Sequence, residues 1–117
     1  MRNPTQRSEA RIEFLGEQDG VPERELKIAL ESALADFRDV ERAYLARIGF
    51  GPNQRTGIAL CLAPPSKQTA LIVRRVAEVF SNLFSRDAHL DVIFVSDEQE
   101  LDLRRVCTPF FRRVCKT

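Results

Sequence analysis

Tryptophan is absent, tyrosine occurs once, and the 117 residues hold a single histidine and three cysteines. One histidine excludes any centre built from several imidazoles and leaves His89 as the sole histidine candidate for acid–base work. The cysteines (Cys61, Cys107, Cys115) include no C-x-x-C pair, so neither a disulfide framework nor a zinc ribbon is suggested. Long apolar runs are missing as well: none approaches the roughly 20 residues of a membrane span. Residues 1–8 are polar and lack the apolar stretch of a signal peptide. Net charge is only +1, which offers no global field for nucleic acid. No G-x-x-x-x-G-K, G-x-S-x-G, H-E-x-x-H or G-x-G-x-x-G motif occurs. The expectation is a cytoplasmic, non-enzymatic protein that needs no cofactor or metal.

What is present is an ordinary globular balance, 44% hydrophobic and 30% charged, enough for one domain with its own core. Residues 1–9 read as a flexible polar arm and residues 10–117 as a single α+β domain. Residues 11–15 alternate polar and apolar, as a half-buried strand does, and Gly16 to Gly20 break the pattern. Pro22 then suits a first helical position, with Glu23 and Glu25 at the positive end of the dipole. Leu26, Ala29, Leu30, Ala33, Leu34 and Phe37 recur at three and four, which predicts an amphipathic helix over 22–38.

From 40 to 50 the period changes to two. Val40, Arg42, Tyr44, Ala46, Ile48 and Phe50 share one face; Ala43, Leu45 and Arg47 share the other. The turn cluster 51–57 predicts a hairpin into a strand over 58–63, which Pro64 and Pro65 end. Ser66 is placed to cap a second helix over 67–85, with Ala70, Val73, Ala77, Phe80 and Phe84 inward. Residues 90–95 form an apolar strand, and Ser96 with Gln99 fits a capping box that opens a short third helix. Phe110 and Phe111 follow with no periodic segment to explain them.

Strand-helix-strand-strand-helix-strand is the ferredoxin-like βαββαβ order: a four-stranded antiparallel sheet, two helices on one face, and a short C-terminal helix besides. With the bulky residues turned to the helices, the open face carries Ala43, Leu45, Ala59, Cys61, Ile93 and Val95. That apolar set calls for cover, either by a second subunit or by Phe110 and Phe111 folding back.

Chemistry is thinly signalled. Asp87, His89 and Asp91 alternate, a weak divalent-ion pattern, and His89 before a strand also has an ordinary structural reading. RNA recognition motifs share the element order, but their stacking aromatics are replaced here by Ile58, Leu60 and Leu62. Cys61 lies in an apolar run and reads as a small hydrophobe, whereas Cys107 and Cys115 read as surface thiols, near enough to Arg104, Arg105, Arg112 and Arg113 for a lowered pKa but with no chemistry assigned to them. Charge is segregated: residues 1–41 hold ten of the seventeen acids, and residues 42–77 hold none but six bases. Asp97, Glu98, Glu100 and Asp102 precede a basic tail, which complements a helix dipole or forms mating patches for a partner.

The residues from Gly16 through Arg113 resemble the C-terminal domain of the enhanced serine sensitivity protein SseB family. Leu15, Gly16 and Pro22 at the first helix, the strand residues 40–46, the segment 57–60, residues 90–92, and Pro109, Phe110 and Phe111 carry the likeness. The resemblance implies a bacterial cytoplasmic protein with no established catalysis, linked by name to serine tolerance. The family often places another domain ahead of this one, where this chain has the short arm. The function expected first is a non-catalytic protein–protein interaction or assembly domain, possible as a homodimer. Leu45, Ile93, Phe110 and Phe111 are its candidate apolar anchors and Arg112 and Arg113 its rim charges. The alternative is a regulatory domain that senses a small amino acid at a subunit interface, with backbone amides between Gly16 and Gly20 beside Pro22.

Overall fold

The computed structural model describes residues 12–49, 56–84 and 88–113. In chain order the elements are β1 (Glu13–Glu17), α1 (Val21–Leu34), β2 (Arg42–Gly49), β3 (Thr56–Ala63), α2 (Thr69–Leu83), β4 (Asp91–Phe94), α3 (Asp97–Arg104) and β5 (Phe111–Arg112). The expected alternation of strands and helices is present, and the chain is a mixed α+β domain.

The sheet is not the antiparallel one expected. Its order is β1-β2-β3-β4, with β5 also beside β2. β1–β2 and β2–β3 are antiparallel, but β3 and β4 run parallel. The physical reason lies in the crossovers. A ferredoxin-like sheet would bring β4 to the edge of β1; here α2 carries the chain back so that β4 takes the free edge of β3, a βαβ step. β1 covers the Ala46–Gly49 half of β2, and β5 pairs with Arg42 and Ala43 on the other half.

Gly16 does not end β1. The register shifts between Phe14 and Gly16, so Leu15 is the extra residue of a bulge and stands 41% exposed. α1 starts as anticipated, with Pro22 in the first positions and Glu23 in the first turn. It buries Leu26, Leu30, Ala33 and Leu34, and each such leucine contributes about 1.5–3 kcal/mol. α2 is rolled from the expected orientation: Ile72 and Val76 are buried, whereas Ala70 and Ala77 are exposed. Three consecutive apolar residues at 71–73 allow either face, and the larger β-branched pair removes more area from water. Ser66 is not the cap residue of α2, although its Oγ accepts from Gln68 N at 2.9 Å just before the helix.

Both helices lie on the face carrying Ala43, Leu45, Leu60, Leu62 and Val92. The opposite face carries Tyr44, Ala46, Ile48, Ala59 and Cys61, and there Leu103 and Cys107 cover it from α3 and the turn after it. The expected faces of β2 are therefore exchanged. Tyr44 decides this, since its hydroxyl needs a partner when buried. The helical side lines the sheet with aliphatic and aromatic groups; α3 offers Glu100.

Candidate functional site

The start of α1, the end of α2 and the approach to β4 converge over one end of the helical face. Leu45 of β2 and Ile58 of β3 form the floor. Glu23 and Leu26 of α1 form one wall. The opposite wall is Phe80 and Phe84, one helical turn apart, with stacked rings 4.7 Å between centroids. Ala88, His89 and Leu90 close the third side. The cavity, open to solvent on one side, measures about 190 Å³.

Its mouth is polar. Gln18 Nε2 donates to the Glu23 carboxylate at 3.0 Å. A Cβ at Gly20 would lie 2.6 Å from Glu23 Oε1, so the bare glycine lets that carboxylate fold back over the helix start. His89 Nε2 donates to the Asp91 carboxylate at Oδ1, 2.8 Å away. The Asp91 side chain is 9% exposed and that of His89 68%. Sharing Ile58 and His89 with the cavity is a broader cleft bordered by Gln18, Arg47, Thr56 and Gly57. Nearby, Lys27 bonds Glu17 and Asp19, and Arg24 pairs with Asp19.

A second polar cluster is structural. Arg42 Nε and Nη2 grip the Glu100 carboxylate at 2.5 and 3.0 Å, and Tyr44 OH donates to the same carboxylate at 2.5 Å. The Arg42 fork holds the Glu100 carboxyl below the ordinary carboxylate range, against the opposing effect of burial, with help from Tyr44. Burial, and then the bond to Glu100, push Tyr44 up to about 12. This cluster ties α3 to the sheet.

The six interaction candidates do not form one surface. Leu45 is fully buried under the helices and so cannot serve as an exposed anchor. Ile93 is half-buried on the opposite face. Phe111 is buried and Phe110 half-buried against the helical-side core, where Phe110 N also donates to Ala43 O at 2.9 Å. Neither covers the α3 face. Arg112 is exposed beside Arg42. Arg113 is not a rim charge: its Nε donates to Val40 O at 3.0 Å, and its Nη2 donates to Leu34 O, Ala35 O and Phe37 O at 3.0–3.4 Å. Its guanidinium thus caps the last carbonyls of α1, where a cation also favours the dipole. Arg113→Ala is expected to cost about 2 kcal/mol, read as a lower urea midpoint. Arg113→Lys should recover only part, because one ammonium nitrogen cannot reach both Val40 O and the carbonyls of Leu34, Ala35 and Phe37, which the guanidinium meets with two separate nitrogens.

Cys107 is buried, not a surface thiol. Desolvation pushes it up to about 11, and it donates to Leu45 O at 3.5 Å. Burial raises the Cys61 thiol further still. Cys115 and Asp87 lie outside the described residues. Among the described residues no group of three or more His, Cys, Asp or Glu side chains is arranged to hold a metal ion, and no helix is long and apolar enough to cross a membrane.

Reading the sequence placed a ligand near Gly16 to Gly20 and Pro22, one border of this cleft, but missed Arg47, Phe80 and Phe84 as its other sides. A signal for Arg47 existed: it is a charge on the same strand face as Leu45. No family model, curated protein or solved structure matches the chain.

Proposed function

We propose that this chain is a non-catalytic regulatory domain that binds a small molecule in the cavity between the start of α1 and the end of α2. The observation that carries this reading is a largely apolar cavity of about 190 Å³ in whose lining Glu23 and His89 are the only ionisable side chains among the described residues. That is the usual make-up of a ligand site: apolar walls for affinity and a few polar groups for orientation. His89 has no serine or cysteine to activate among the described residues of the cavity lining, which favours a binding role for it over a basic one. Kinship with the SseB C-terminal domain and a cytoplasmic setting belong to the same proposal. The test is a thermal-shift screen of small metabolites. A ligand selective for the native state raises Tm by mass action, and the absence of any shift across amino acids, organic acids and nucleosides would remove the reading.

Assembly is retained as a second reading on different ground from the sheet face. Val21 and Ile28 are seven residues apart on α1, hence on one side of it, and each is 68% exposed. If that stripe joins two copies, Ile28→Glu converts a dimer to a monomer by light-scattering mass with the Tm little changed. An unmodified chain that is already monomeric excludes self-assembly.

A further inference from the structure

We infer that the ligand is a hydrophobic α-amino acid, with its side chain in the cavity, its carboxylate on Arg47 and its ammonium on Glu23; this rests on the cavity being the ligand site. Size is the first argument. An apolar protein cavity of about 150 Å³ admits benzene, so about 190 Å³ suits a branched aliphatic or phenyl side chain. Polarity is the second. Leu26, Leu45, Ile58, Phe80, Phe84 and Leu90 offer a buried hydroxyl no partner, so the hydroxyl of serine bonds only at the Glu23 and His89 edge and gains nothing from the apolar remainder.

The head group follows from what stands at the mouth. Arg47 pairs across the strands with Ile58 and lies two residues along β2 from Leu45, so its Cα is about 7 Å from that part of the floor. Its Nη2 comes within 3.9 Å of the point where a Gly16 Cβ would sit, so the guanidinium lies over a residue with no side chain to displace it. A planar fork of this kind matches a carboxylate with two parallel bonds. Gln18 orients the carboxylate of Glu23 in the cavity lining, while the neighbouring cations Arg24 and Lys27 turn to Asp19 and Glu17. An ammonium is the complement that carboxylate takes. Glu23 lines the cavity and Arg47 the adjoining cleft, and the two share Ile58 and His89, the junction at which the zwitterion's two charges would sit.

Isothermal titration of the whole chain with L-leucine, L-isoleucine, L-phenylalanine, L-serine, 4-methylpentanoate, isoamylamine and benzene tests this. At least one of the three hydrophobic amino acids should bind, with L-serine silent and with 4-methylpentanoate and isoamylamine each weaker by about 10- to 100-fold, the loss of one charge-assisted contact. Arg47→Gln should lower affinity for the amino acid by a similar factor while leaving that for isoamylamine unchanged. Glu23→Gln should do so while sparing 4-methylpentanoate. Both substitutions are at polar, partly or largely exposed positions, so Tm reports an intact fold alongside. If benzene or a single-headed analogue binds as well as the amino acids, the cavity is a site but the amino-acid class is wrong. If no probe binds, benzene included, the site reading fails with it.

Discussion

Leu45→Arg is expected to yield a chain with no cooperative thermal transition by circular dichroism. Leu45 is fully buried, sits in the helical-side core with Leu26, Leu60 and Ile72, and forms part of the cavity floor. A guanidinium there faces Leu26, Phe80 and Phe84 across the cavity and must lose its hydration, stretch to Glu23, or force α1 and α2 off the sheet. Loss of the leucine's packing adds about 2–5 kcal/mol, and an unpaired buried charge adds several more. The sum reaches the 5–15 kcal/mol that holds an ordinary domain together. Leu45→Met keeps the volume and polarity and should cost less than about 1.5 kcal/mol. A folded Leu45→Arg chain with an altered mass would instead restore Leu45 as a surface anchor and contradict the arrangement of β2.

Glu100→Ala is the second large effect, at about 3 kcal/mol. Breaking a buried ion pair typically costs about 3–5 kcal/mol because the remaining charge stays uncompensated. The lower end applies because the Arg42 side chain keeps 27% exposure, whereas that of Glu100 keeps 7%. Tyr44 OH loses its acceptor in the same change. Urea unfolding followed by far-ultraviolet dichroism gives the number.

The cluster also sets a pH window. Glu100 has a depressed folded pKa, so its stabilisation is fully present above the ordinary value of 4.5 and is lost as pH falls through the lower folded value. Tyr44 is raised from 10.0 to about 12, so its share is present below pH 10 and is lost as pH climbs towards 12. In Glu100→Ala, the acid limb of the stability curve should flatten. An acid limb unchanged from the parent chain would show that other carboxylates govern it.

Periodicity made α1 legible because one side is wet: Leu26, Leu30, Ala33 and Leu34 stand out against Glu25, Glu31 and Ser32, with Pro22 marking the start. β2 gives no such contrast. Residues 43–46 are all buried, so both faces are apolar and size alone was a poor guide to which meets the helices. The polar end of Tyr44 settled the matter through Glu100, a contact spanning 56 residues of sequence. Strand order was hidden for a related reason, since the sequence of elements does not say which free edge β4 will take. β5 is two residues long and carries no period at all. The cavity was the least visible feature. Glu23, Leu45, Ile58, Phe84 and His89 come from five separate stretches, and each taken alone reads as core or surface.

The most direct measurement is a ¹H–¹⁵N correlation spectrum of the labelled chain titrated in turn with L-leucine, L-isoleucine, L-phenylalanine and benzene. The amides of Gln18, Glu23, Arg47, Ile58 and His89 should shift together in saturable fashion, while those of α3 stay in place. Saturable shifts confined to α3 or to the outer side of α1, or a spectrum that does not respond, would contradict a ligand site between the start of α1 and the end of α2.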